Sequence, residues 1–229
     1  MFAGHSAPVT CGAFTPDGKT IVTASDDAAL RTWNPRTGAC IHTVQGYPFH
    51  TAGITCIDLD ASCSTALTAS QDGTAKLVSL STGKVSATLI GHTGCVEAAG
   101  LCDSAPFAAT GGHDGVARIW DVPTASVRCT LDHHIEASVG SVGESSAMMQ
   151  DEGASPTVSR LQWIAGSQQL VTATTDGRVR LWDGRSGQCV RVWHVHSDAV
   201  LDLWVGRVGG TRTIATAGED GTACIIHVT

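Results

Sequence analysis

Four residue types recur at fixed spacing along this chain, and that recurrence limits the folds available to it. In residues 91–121, His92 stands 22 residues before Asp114, Thr110 stands 4 before it, and Trp120 stands 6 after it. The stretch opens with Gly91-His92 and closes with Trp120-Asp121. Between them lie Val96, the strand-like run from Pro106 to Thr110, and the turn His113-Asp114-Gly115. The four side chains suit a hydrogen-bonded chain. A carboxylate accepts from an imidazole N–H, the second imidazole nitrogen bonds the Thr hydroxyl, and that oxygen accepts from the indole N–H. Such a chain would tie a loop, two strands and a turn of one sheet together.

The spacing is used five times. The first copy has His5, Thr23, Asp27 and Trp33, and the second has His50, Thr68 and Asp72 with Val78 at the Trp position. The fourth has Thr172, Asp176 and Trp182, but its His position falls on Ala154. The fifth has Thr216, Asp220 and, allowing two extra residues around Gly209-Gly210, His196, with Ile226 replacing Trp. The five Asp residues stand 45, 42, 62 and 44 residues apart. Self-similarity at this period indicates a propeller or a solenoid. The expected fold is all-β: five recognisable four-stranded blades near 4–45, 46–90, 91–131, 157–193 and 194–229.

Other features agree. A chain of 229 residues buries a sizeable core as a single domain. Its 26 Gly residues and a charged fraction of 15% suit short strands joined by tight turns. Val9–Phe14, the turn at Pro16-Asp17-Gly18, and Thr20–Ser25 set the pattern. The pattern breaks between Cys129 and Ser159, where there is no Lys or Arg and Glu136, Glu144, Asp151 and Glu152 lie among small residues. Residues 135–156 are therefore expected to be a disordered acidic insertion, which accounts for the long period. The last copy ends at its third strand, so the chain is expected to be a fragment of a longer propeller.

The net charge of −7 argues against direct nucleic-acid binding, which calls for a basic stripe. The nine Cys residues form no CxxC pair and read as small buried hydrophobes in a reducing compartment. No run approaches a membrane span, and Met1–His5 lacks the pattern of a secretory signal. Four of ten His belong to the repeats; His133, His134 and His194 have no carboxylate or Cys at metal-ligand spacing. No catalytic residue, cofactor or metal ligand is expected, because a catalytic constellation occurs once rather than once per repeat.

The Gly-His and Trp-Asp pairs and their spacing resemble the WD repeat, a propeller-blade motif. That resemblance implies that the His-bearing and Asp-bearing loops share one face. Asp26, Gln71, His113, Thr175 and Glu219, each just before a repeat Asp, would rim it. So would Asp198, two after a repeat His, with Ala7, Ala52 and Gly94 at the corresponding places. A narrower resemblance rests on Thr10-Cys11-Gly12 with Pro16–Lys19, Ile41-His42 after Thr37-Gly38, and Ala75-Lys76-Leu77-Val78-Ser79 with Thr82–Val85. These are similar to the angio-associated migratory cell protein family, in which Val78 is the expected residue rather than a defect. The family's fungal counterpart is a chaperone of a basic large-subunit ribosomal protein. The resemblance implies a cytoplasmic or nuclear binding scaffold with a basic ribosomal client. The alternative is a general adaptor in a signalling, cell-migration or ubiquitin-ligase complex.

Overall fold

The computed structural model describes residues 2–134 and 155–228. Every regular element among them is a strand. The first sheet holds β1 (Val9–Phe14), β2 (Ile21–Ser25), β3 (Leu30–Trp33) and β4 (Cys40–Val44). The second holds β5 (Ile54–Leu59), β6 (Thr65–Ser70), β7 (Thr74–Ser79) and β8 (Val85–Ile90). The third holds β9 (Val96–Leu101), β10 (Phe107–Gly112), β11 (Val116–Asp121) and β12 (Ser126–Asp132). The fourth holds β13 (Val158–Trp163), β14 (Gln169–Thr174), β15 (Arg178–Asp183) and β16 (Cys189–His194). The fifth holds β17 (Val200–Val208), β18 (Thr211–Gly218) and β19 (Ala223–Val228). Within each sheet the strands pair antiparallel in chain order.

Four sheets are thus four-stranded, and the fifth has three strands among the described residues. This agrees with the expectation that the last copy ends at its third strand. Phe2 and Ala3 join no sheet. Phe2 instead packs on the Trp33 ring, with centroids 5.6 Å apart. The expected insertion at 135–156 lies outside the described residues except for Ser155 and Pro156; Asp132 ends one sheet and Val158 begins the next.

The core lies between sheets rather than within them. One cluster joins the first and second sheets through Val22, Leu30, Phe49, Ile54, Ala66 and Val78. A second joins the second and third through Leu67, Leu77, Val96 and Trp120. A third, with Ile119, Leu131, Val158 and Leu170, joins the third and fourth; a fourth, with Val171, Val179, Val200 and Ile214, joins the fourth and fifth. Middle strands such as β6 and β14 are therefore buried on both faces and read as continuous small and apolar runs. No cluster joins the first and fifth sheets among the described residues. Val9, Phe14, Leu201 and Ile225 are at least half exposed there.

The first strands of neighbouring sheets adjoin. Each carries a β-bulge at its second residue, which opposes no partner: Thr10, Thr55, Glu97, Ser159 and Leu201. A bulge re-aims its side chain. Three of the five use it to clip the next sheet. Thr10 Oγ1 donates to the Ile54 carbonyl at 2.6 Å, Thr55 Oγ1 to that of Val96 at 2.5 Å, and Ser159 Oγ to that of Val200 at 2.7 Å.

Candidate functional site

Each repeat Asp sits in the turn between the second and third strands, where the chain must reverse within two residues. In four sheets Gly follows it at positive φ: Gly73, Gly115, Gly177 and Gly221. In the first, Ala28 takes that conformation at φ 59°, which is strained for an L side chain. The turn points the carboxylate back at the preceding loop. His5 Nδ1 lies 3.0 Å from Asp27 Oδ2, His50 Nδ1 2.9 Å from Asp72 Oδ2, His92 Nδ1 2.9 Å from Asp114 Oδ1, and His196 Nδ1 3.1 Å from Asp220 Oδ1. Each Asp also accepts the backbone N–H after its His, from Ser6, Thr51, Thr93 and Ser197.

The other ring nitrogen meets the repeat Thr. His Nε2 is 2.8 Å from Oγ1 of Thr23, Thr68, Thr110 and Thr216. Trp33 and Trp120 Nε1–H donate to Thr23 and Thr110 at 2.8 Å. Where Val78 replaces Trp, the Thr68 hydroxyl lies 3.2 Å from the Lys76 carbonyl, and Val78 packs fully buried between sheets.

The fourth sheet departs from the expectation. His133, from before the insertion, places Nε2 2.8 Å from Thr172 Oγ1, which also accepts from Trp182 Nε1 at 2.8 Å. Its Nδ1–H donates to the Leu131 carbonyl at 3.0 Å, so a backbone oxygen takes the carboxylate's place. Asp176 does not bond a His. It accepts from the Thr174 hydroxyl and pairs with Arg178 and Arg180, at 3.5 and 3.6 Å. Arg180 in turn donates to the His133 carbonyl at 3.2 Å. Sequence spacing counted across the insertion missed His133. The signal was a His one residue past the end of the preceding sheet.

A second feature escaped the sequence reading. The residue four after the repeat Asp is a base in four sheets: Arg31, Lys76, Arg118 and Arg180. Arg118 pairs with Asp114 at 2.9 Å. Burial lowers the Lys76 and Arg180 pKa values, while Asp72 and Asp176 respectively oppose the shift. Burial pushes the Asp72 and Asp114 carboxyls up, but hydrogen bonds from their neighbours outweigh it and hold both below the usual range. Burial holds His50 and His92 down, and it drives His133 down to about 3 with help from Arg180.

In four sheets the His–Asp contacts bring the loop before the first strand and the turn between the second and third strands together at one end of the sheet. A second backbone bond recurs there: the N–H of Asp26, Gln71, His113, Thr175 and Glu219 donates to the carbonyl of Pro8, Gly53, Cys95, Thr157 and Ala199. All five residues and Asp198 are exposed. In the third sheet Cys95 Sγ, Glu97 and His113 converge: Sγ is 2.9 Å from Glu97 Oε1, and His113 Nε2 is 3.0 Å from it. Burial, reinforced by Glu97, pushes the Cys95 thiol up to about 12. At the first strands, a hollow is lined by Asp58, Leu101, Gln162 and Trp163. Burial raises the Asp58 pKa, and its oxygens accept the Leu59 and Leu101 amides, so this carboxyl braces two sheets.

The WD domain, G-beta repeat model matches residues 1–34, 38–79, 83–121 and 126–183. The chain is 31% identical to the angio-associated migratory cell protein of Homo sapiens, over 95% of this chain and 49% of that protein. It is 27% identical to an uncharacterized WD repeat-containing protein of Schizosaccharomyces pombe, over 95% of this chain and 51% of that one. The chain spans about half the length of these curated relatives. The solved structure of U3-55K superposes with a TM-score of 0.80 at 19% identity, covering 99% of this chain and 63% of that chain; at that identity the likeness concerns the fold. Repeated side-chain ties, matched segments and shared architecture agree that the chain belongs to the WD-repeat family.

Proposed function

We propose that this chain is a non-catalytic protein-binding module whose looped polar face receives a basic polypeptide segment. The segment fits a large-subunit ribosomal protein, held by the whole protein in the cytoplasm or nucleus before ribosome assembly. The observation that carries this reading is the exposure of Asp26, Asp198 and Glu219 around one rim built on rigid ties. None of the three is in an ion pair among the described residues. Carboxylates held on a fixed frame attract a basic segment and set its register at little cost in ordering. The net charge of −7 acts in the same direction at longer range.

Fluorescence anisotropy with a labelled basic peptide from the N-terminus of such a ribosomal protein tests the reading. Binding should weaken with salt, and the combined Asp26→Lys, Asp198→Lys and Glu219→Lys chain should bind about tenfold or more weakly, with an unchanged melting temperature. Salt-independent binding of a neutral partner would favour the general adaptor instead.

A further inference from the structure

The five sheets place three side chains at one equivalent point: the residue before the first strand, the bulged residue within it, and the rim residue before the repeat Asp. The recurring backbone bond from the rim N–H to the carbonyl before the strand holds that point together in all five. The occupants are Pro8, Thr10 and Asp26; Gly53, Thr55 and Gln71; Cys95, Glu97 and His113; Thr157, Ser159 and Thr175; Ala199, Leu201 and Glu219. Only the third set brings together a thiol, a carboxylate and an imidazole.

Glu97 is also an exception at its own position. Thr10, Thr55 and Ser159 donate to the next sheet from the bulge, and a carboxylate cannot donate when ionised. Glu97 instead points to Cys95 and His113, and its side chain keeps 28% of its surface exposed.

We propose that Cys95 Sγ, a Glu97 carboxylate oxygen and His113 Nε2 form a three-ligand site for a zinc-class divalent cation on the rim. The donor atoms lie within 4.8 Å of one another. A tetrahedral Zn²⁺ with bonds of about 2.0–2.3 Å sets its ligands roughly 3.5 Å apart, so the two contacts to Glu97, at 2.9 and 3.0 Å, widen slightly around the ion. His113 is more than half exposed and already aims Nε2 at Glu97. The donor set of sulfur, nitrogen and one oxygen selects zinc over calcium or magnesium, which take oxygen ligands. Binding expels the Cys95 thiol proton to solvent. Thiolate and carboxylate then balance the two positive charges, and the fourth position faces solvent. This site stands apart from the basic-segment reading, because none of its ligands is one of the three carboxylates invoked there.

Spectroscopic titration of the chelator-treated full chain with Co²⁺, then competition by Zn²⁺, tests the site. One equivalent should bind and produce a thiolate-to-cobalt charge-transfer absorption. Cys95→Ser should abolish that absorption, and Glu97→Gln and His113→Ala should each weaken binding by about tenfold or more. His113→Ala matters most as a control, because it leaves all nine thiols in place and alters an exposed side chain. The metal-free melting temperatures of the variants should match the parent. Absence of binding by the parent chain, or undiminished binding by Cys95→Ser and His113→Ala, overturns the proposal.

Discussion

His133 Nε2 stands 2.8 Å from Thr172 Oγ1, joining residues 39 apart in sequence on either side of the acidic segment. The imidazole is only 1% exposed, and it completes the tie of a sheet whose own repeat Asp bonds elsewhere. The loop before the fourth sheet is therefore anchored at its start as well as at Thr157, which bonds Thr175.

The burial of neutral His133 makes stability fall in acid. Its folded pKa of about 3 lies below the unfolded value of about 6.5, so below pH 6.5 the unfolded chain binds a proton that the folded chain refuses. That contribution is complete above 6.5 and erodes by about 1.4 kcal/mol per pH unit until pH nears 3. Urea unfolding at pH 4 to 7 should show a pH slope in the parent about one proton steeper than in His133→Gln. Equal slopes would show that His133 is not held neutral.

Asp114→Ala should destabilise the chain by about 1–3 kcal/mol, because it strands the His92 and Thr93 N–H groups and the Arg118 guanidinium. Asp220→Ala should cost less. Ile226 supplies no indole N–H to the Thr216 tie, and Cys224 stands where the base would be. Melting temperatures of the two variants rank them.

Val78→Trp should destabilise, although it restores the residue found in three other repeats. Val78 is fully buried in one cluster with Phe49, Ala66 and Leu80, so the larger indole would overpack it. Overpacking a filled site costs about 1–3 kcal/mol. A higher melting point in Val78→Trp would show that the lost Trp–Thr bond outweighs packing.

The clips between sheets differ in a testable way. Thr55→Val removes the hydroxyl that donates to the Val96 carbonyl and should cost about 1 kcal/mol in denaturant unfolding. Glu97→Thr supplies a hydroxyl at the equivalent bulge and should raise stability by about 0.5–1.5 kcal/mol, while removing a proposed metal ligand. A destabilised Glu97→Thr chain would mean that the Cys95–Glu97–His113 contacts hold the rim together.

Ala28→Gly should stabilise the first sheet by about 0.5–1 kcal/mol, because Gly takes the left-handed conformation without the Cβ clash. Thermal unfolding of this single variant is the check.

Local chemistry was enough to read the repeat. A His, Thr, Asp and Trp at fixed offsets use short-range hydrogen bonds within one sheet, and a sheet of fixed strand length keeps those offsets constant. That is why Asp27, Asp72, Asp114 and Asp220 can be located from the sequence, and why strands such as β1 and β10 follow from it. Tertiary structure decided what depends on the distance through space rather than along the chain. It brought His133 to Thr172 across the 62-residue period, because two neighbouring sheets lie side by side however long the loop between them is. It aimed the bulged residues at the next sheet, and it set Cys95 and Glu97 against His113 because a backbone bond between two loops closes a gap that sequence spacing leaves open.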